Sequence, residues 1–507
     1  MNKKVVIIGG GLAGMSTAIR LAARDYQVTI VEKGERLGGK LNIRKGNGFT
    51  FDTGPSILTM PWVLETLFES VGRNIHDYLT IRRVEPGWRT FFQDGTTIDL
   101  TSDIPKMLEQ IKELSEKDAT LFFPYLQHCQ NMYKLSMKSF YKRSINGLPD
   151  MRNEHRLSEL LQMAPTKTFD QTTKRYFSNK HLQQLFNFLT MYIGSSPYQA
   201  PAILSQMSHI QLGIGVFYVE GGMYKIAEAM EKVLNELGVT IMCNQKVTSV
   251  LLSGNSVQGV QLENDLAIHS DLVVSNLEAI PFYETMVSDK KKRDHAVHSL
   301  KKFSPTVSGL VLLLGINRTY DQLAHHNFFF SENQEKEFHE LFEAHSLSED
   351  PTIYVGISAK TDPTQAPKGK ENLFILTHVP PLKKGETWNH NKEKYRELIL
   401  AKLERMGLTE LRSHIEYEYT FTPEDIGELY GSNGGSIYGT VTDRKRNGGF
   451  KIPNKSHEYE NLYFVGGSTH PGGGVPMVTL SGHLTANLII EHESNVFNDE
   501  NDGQILA

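Results

Sequence analysis

The feature that most constrains this chain lies at its N-terminus. Residues 5–8 read Val-Val-Ile-Ile, an apolar run suited to a strand buried on both faces, and they lead directly into Gly9-Gly10-Gly11-Leu12-Ala13-Gly14. Met15, Ala18, Ile19 and Ala22 continue at helical spacing, Gln27-Val28-Thr29-Ile30-Val31 reads as a second strand, and Glu32 follows eighteen residues past Gly14. In such a unit Gly9 permits the tight turn, Gly11 lets the backbone approach a pyrophosphate, and Gly14 lets the helix pack close to the strand. The free N–H groups at the helix start favour an anion there, and no lysine is required. Glu32 stands where a carboxylate accepts from ribose hydroxyls, and it disfavours a 2′-phosphate. A glycine turn alone is common in purely structural units. Here strand, turn, helix, second strand and acid occur in order, which predicts a dinucleotide site.

The 507 residues are 39% hydrophobic and 22% charged, an ordinary globular composition with room for two or three folded units. The net charge of -5 supplies no overall basic field, so no nucleic-acid partner is expected. Two cysteines, Cys129 and Cys243, cannot build a disulfide framework or a four-ligand metal centre. His325-His326 is a poor metal signature because adjacent side chains point apart, so no metal is expected. There is no CxxC pair and no G-x-S-x-G elbow. No stretch supplies the roughly 20 apolar residues of a spanning helix, which leaves open contact with a membrane surface. The chain starts directly in a folded element rather than a secretion signal, so a cytoplasmic setting is expected.

Further along, Phe49-Thr50-Phe51-Asp52 reads as a short strand, with Asp52 either a turn residue or a ligand. Residues 88–100 read as two strands around an Asp94-Gly95 hairpin turn, and helical patterns dominate 103–235. The aromatic run Leu185–Ile193 suits either helical core or the lining of a tunnel. Strand-like runs return at 239–242 and 271–276, then at Val311–Gly315 and Leu373–Thr377, with a charged-faced helix over 390–407. The basic stretches 290–293 and 444–446 read as solvated faces, with anionic headgroups as the functional rival. Finally Leu462-Tyr463-Phe464-Val465 enters Gly466-Gly467-Ser468-Thr469-His470-Pro471-Gly472-Gly473-Gly474-Val475-Pro476-Met477, where glycines let backbone approach a planar ligand.

After Glu32 a second glycine pair, Gly38-Gly39, resembles the extended signature of amine-oxidase-like and carotenoid-desaturase-like flavoproteins, which favours FAD over NAD. The stretches GGGLAGMSTAIRLA, GFTFDTGPSILTMP, WRTFFQDGTTIDL, YIGSSPYQAPAILS, FYVEGG, LAHHNFFF and LYFVGGSTHPGGGVPMVTLSG extend that likeness over nearly the whole chain. The chain resembles the bacterial carotenoid desaturase and oxygenase flavoproteins. The resemblance implies an α/β, amine-oxidase-like architecture: a Rossmann-like FAD-binding domain from 1–80, 211–300 and 451–507, and an inserted mixed-sheet and helical substrate domain from 81–210 and 301–450. It implies that FAD is bound by Gly9, Gly11, Gly14, Glu32, Gly38, Gly39, Gly467, Gly474 and Met477. Desaturases of the family commonly carry glycine-alanine-glycine, and a glycine after the proline. Gly472-Gly473-Gly474 and Met477 depart from this and favour the oxygenase branch.

The implied reaction is oxidation of a terminal methyl group of an acyclic C30 carotenoid to an aldehyde, with molecular oxygen as co-substrate. The alternative is carotenoid desaturation. Amine oxidation and noncatalytic flavin binding are weaker rivals. The water-insoluble substrate implies peripheral association with the cytoplasmic face of the membrane. No catalytic base is assigned.

Overall fold

Burial follows the apolar runs closely. The computed structural model describes residues 3–505, with side chains described through residue 494. The chain begins with β1 (Lys4–Ile8), α1 (Leu12–Ala22) and β2 (Gln27–Val31), then leaves for β3 (Trp88–Phe91), β4 (Thr97–Leu100), α2 (Glu116–Lys138) and α3 (Lys180–Asn187). It returns in β5 (Thr240–Met242) and β6 (Leu272–Ser275). A second departure carries β7 (Ser308–Ile316), β8 (His326–Phe329), β9 (Ile353–Gly356), β10 (Glu371–Val379) and β11 (Ile415–Phe421), before β12 (Leu462–Phe464) and α4 (Val475–Ile505).

Five of these strands form a parallel sheet in the order β12-β6-β1-β2-β5. β1 lies at its centre, with Ile7 opposite Ile30 on one side and Val274 on the other, so its hydrophobic run is covered all round. Because the strands are parallel, their carboxyl ends share one edge. Gly9, Glu32, Asn276 and Gly466 follow strand ends there, the usual place for ligands in such sheets. α1 and α4 pack tightly side by side: a Cβ added at Gly482 would lie 2.2 Å from the Ala13 carbonyl oxygen.

The larger sheet has seven strands in the order β11-β7-β10-β9-β8-β3-β4. β7 and β10 pair antiparallel over nine residues, from Ser308–Val379 to Ile316–Glu371, and all nine residues of β7 are buried. Strand alternation splits β7 between two cores. Leu310, Leu312 and Leu314 join Ile399 and Leu403 of the charged-faced helix Lys392–Arg405, while Val311 and Leu313 turn towards the main core with Phe328 and Phe374. β3 adds in parallel to β8, which ties the Asp94-Gly95 hairpin to strands more than 200 residues later in the chain.

Candidate functional site

Between the edge of the parallel sheet and the inner face of the seven-stranded sheet lies a cavity of about 770 Å³. Gly9, Gly11, Glu32, Gly38 and Gly39 line one end; Gly466, Gly467, Gly473 and Gly474 line a second wall. Val311, Phe328, Phe374, Leu376 and Phe421 of the large sheet, with Phe188, Met191 and Tyr192, give the far end its apolar walls.

The glycine end is shaped by contacts as well as turns. Gly9 sits at φ +93°, a conformation that favours glycine. A Cβ at Gly14 would lie 2.4 Å from the Gly9 oxygen, so close helix–strand packing is indeed what that position requires. Gly14 does not line the cavity; its N–H donates to Asn276 Oδ1 at 3.0 Å. At Gly11 an added Cβ would come within 2.7 Å of Asn276 Oδ1, so the absence of a side chain there serves the protein's own packing. α1 starts at Gly11 with no side-chain cap and no acidic residue in its first turn, so its positive end remains available to an anion. The Glu32 carboxylate accepts the N–H groups of Gly10 and Gly34, both at 2.7 Å, which fixes it on the cavity wall. A carboxylate has about four lone-pair sites, so acceptor capacity remains for ribose hydroxyls.

Lys40 and Glu278, which the sequence did not single out, also line the cavity, 3.7 Å apart. Burial lowers the Lys40 pKa and raises that of Glu278, and each charge opposes the shift of the other. Lys40 Nζ donates to the Ser436 carbonyl at 2.7 Å, and Ser436 Oγ donates to Glu278 at 3.2 Å.

The C-terminal glycine loop packs under Tyr438: a Cβ at Gly473 would lie 2.5 Å from the Tyr438 carbonyl oxygen, whereas one at Gly474 would meet nothing within 4 Å. Met477 lies off the cavity wall. Val475 and Val478 share one face of α4 and line the cavity, while Met477 packs against the cluster of Met60, Val63, Tyr141 and Leu480.

At the apolar end, the Tyr438 hydroxyl lies 3.3 Å from His378 Nε2, and burial pushes His378 down to about 3, so the imidazole is neutral. Tyr354 hydrogen-bonds Ser56 and His326 Nδ1, both at 2.7 Å, and burial also holds His326 neutral while raising the Tyr354 phenol. The His325-His326 pair therefore serves an internal hydrogen-bond network, with His325 Nδ1 2.6 Å from Thr361 Oγ1. Among the described residues no group of three or more His, Cys, Asp or Glu side chains is placed to hold a metal ion.

The aromatic run 185–193 divides between both expected roles: Leu185, Phe186 and Leu189 are core, while Phe188, Met191 and Tyr192 face the cavity. Asp52 ends a short strand, buried, and accepts the Tyr224 N–H at 3.4 Å. The sequence offered a signal for Lys40, which directly follows Gly38-Gly39, and for Asn276, which ends a predicted strand. Tyr354, His378 and Tyr438 converge only through tertiary structure and carry no local motif.

A central parallel strand leading to an uncapped helix start, a carboxylate at the end of the next strand and a deep cavity beside them define a dinucleotide-dependent class. A family model for flavin containing amine oxidoreductase matches residues 12–490. Among similar proteins, 4,4′-diapolycopene oxygenase of Methylomonas sp is 44% identical over 491 residues, covering 96% of this chain and 98% of that protein. The 4,4′-diaponeurosporene oxygenase of Staphylococcus aureus (strain MSSA476) is 42% identical over 495 residues, covering 97% of this chain and 99% of its own. Similar solved structures include an oxidoreductase from Methanosarcina mazei, with a TM-score of 0.66 at 18% identity over 96% of this chain and 100% of that one. Putrescine oxidase bound to putrescine gives 0.61 at 14% identity, over 97% and 99%; at these identities the likeness concerns the fold. The chain belongs to the flavin-containing amine oxidoreductase family, in the group that holds these carotenoid oxygenases. It is a flavin-dependent oxidoreductase and its cofactor is FAD.

Proposed function

We propose that the protein uses FAD to oxidise an acyclic C30 carotenoid. In this reading Gly9, Gly11 and the start of α1 would hold the pyrophosphate and Glu32 the ribose, with Gly38-Gly39 beside the phosphates and Gly14 packing α1 against β1. Gly467 and Gly474 would hold the flavin ring beside the apolar end, whereas Met477 packs away from the cavity. Bound FAD supplies a two-electron acceptor. The protein's own part is to hold the polyene, exclude water and present no charge to it.

The observation that carries the reading is the character of the apolar end. Phe188, Phe328, Phe374 and Leu376 form its walls, His378 is neutral, and among the described residues the only carboxylates on the whole cavity wall are Glu32 and Glu278. Glu32 is held by two amides and Glu278 is paired with Lys40, so neither is placed for a cationic amine at the apolar end. A polyene is held there by burial, at about 25 cal/mol per Å² of apolar surface before ordering costs are subtracted.

Two reactions use such a site. Hydrogen removal that lengthens the conjugated system needs only the acceptor and a dry apolar slot, both of which the cavity supports directly. Oxidation of a terminal methyl group to an aldehyde needs molecular oxygen as well, and its support is the similarity to 4,4′-diapolycopene and 4,4′-diaponeurosporene oxygenases. A substrate insoluble in water implies contact with a bilayer; among the described residues no helix is long and apolar enough to cross one. Mass spectrometry of products formed from 4,4′-diaponeurosporene in liposomes under isotopically labelled oxygen separates the two reactions, with aldehydes reduced at once to block exchange with water. Label in the trapped alcohol assigns methyl oxidation, loss of hydrogens without label assigns desaturation, and unchanged carotenoid contradicts the proposal.

A further inference from the structure

Large apolar side chains with substantial exposure are unevenly placed on the described surface. Leu148, Leu157 and Leu161 are 61%, 73% and 68% exposed, and all three lie within fourteen consecutive residues. They belong to two short helices, Leu148–Glu154 and Leu157–Gln162, in which no residue is buried. A helix is ordinarily held in a fold by an apolar stripe turned inward. Here Leu157 and Leu161, one turn apart, turn outward together.

Polar contacts hold the pair to the end of α2 instead. His155 Nε2 lies 2.7 Å from Ser139 Oγ, Lys138 bonds Glu159 at 2.8 Å and Arg143 bonds Glu154 at 2.8 Å. Asp150, the remaining acid of the segment, accepts the Asn146 N–H at 2.7 Å. All three acids between residues 142 and 167 are thus engaged locally, whereas the exposed Lys142, Arg152, Arg156 and Lys167 make no salt bridge among the described residues. The outward face is apolar and basic in a chain whose net charge is -5.

We propose that the face formed by residues 142–167 docks onto a bilayer containing anionic lipid. Leu148, Leu157 and Leu161 enter the boundary between headgroups and acyl chains, and Arg152, Arg156, Lys142 and Lys167 meet the phosphates. A second copy of the chain is a poorer occupant, because a two-fold contact through this face brings its unpaired basic residues against their own counterparts. The proposal goes beyond the oxidation reading and takes from it only a reason for membrane contact.

The test is flotation of the FAD-loaded full chain with vesicles of phosphatidylglycerol and phosphatidylcholine, without carotenoid. The protein is expected to float with anionic vesicles and to be released by salt. Leu157→Ser with Leu161→Ser is expected to lower the bound fraction about tenfold or more. Arg152→Glu with Arg156→Glu is expected to weaken binding by about fivefold per charge removed, on anionic vesicles only. All four positions are exposed, so the bound-flavin spectrum and melting temperature should match the unsubstituted protein. Wild-type protein that stays unbound, or variants that float equally well, would overturn the proposal. So would a dimer, seen by sedimentation, that the leucine variant dissolves. Protein that floats yet never oxidises carotenoid would overturn the reaction and leave the docking face standing; protein that oxidises carotenoid in detergent yet never floats would do the reverse.

Discussion

The Glu32 carboxylate lines the cavity and is fixed there by the amides of Gly10 and Gly34. Replacing it with alanine removes a charged acceptor, and hydrogen bonds to charged groups contribute about 1.5–3 kcal/mol each. Fluorescence titration of apoprotein with FAD should show about ten- to a hundredfold weaker binding for Glu32→Ala; unchanged affinity would place the ribose elsewhere. Asp52 gives a pH signature. Burial pushes its carboxyl from an ordinary 3.8 up to about 6. Below pH 3.8 folded and unfolded states both hold the proton; as pH rises through 3.8–6 only the folded state keeps it, so stability falls, by about 3 kcal/mol at pH 7. Urea unfolding should therefore show Asp52→Asn gaining on the unsubstituted protein between pH 4 and pH 7, and a constant difference would contradict the assignment. At this scale the sequence was legible where chemistry is local. Gly9, Gly14 and Glu32 occupy positions that a strand–turn–helix unit imposes. Gly11 was legible as a glycine, but its second role, close packing against Asn276, was not, since that neighbour lies 265 residues away in the chain.

Elements were legible wherever one period dominated. β1, β2, β6, β7, β10 and β12 each stood out as short apolar runs, and the Lys392–Arg405 helix by its charged face. The pairing of β3 with β8 was not legible, because parallel pairing leaves no local turn signal. Nor was the tight seam between α1 and α4, which depends on Gly482. A Cβ there would come within 2.2 Å of the Ala13 carbonyl oxygen, and Ser16 Oγ donates across the same seam to the Thr479 carbonyl at 2.7 Å. Gly482→Ala should cost about 1–3 kcal/mol as an overpacked contact, read as a lower melting temperature of the FAD-loaded protein. Because α1 and α4 each present their starts to the cavity, the same variant should lose FAD more readily on gel filtration. Unchanged melting and flavin retention would mean that the seam relaxes freely.

For the whole molecule, the decisive arrangement is that two sheets of different character meet at one cavity. The parallel sheet brings to its edge the polar groups suited to a dinucleotide; the mixed sheet brings an aromatic wall with neutral His378 and protonated Tyr354. The fold is shared with putrescine oxidase, so within the structure itself the distinction between an amine and a polyene as reductant lies in the cavity wall. The direct measurement is anaerobic mixing of the FAD-loaded protein with 4,4′-diaponeurosporene in vesicles, or with putrescine, while following the absorbance of oxidised flavin. The account expects the carotenoid to bleach the flavin and putrescine to leave it oxidised. Bleaching by putrescine, with the carotenoid inert, would contradict it.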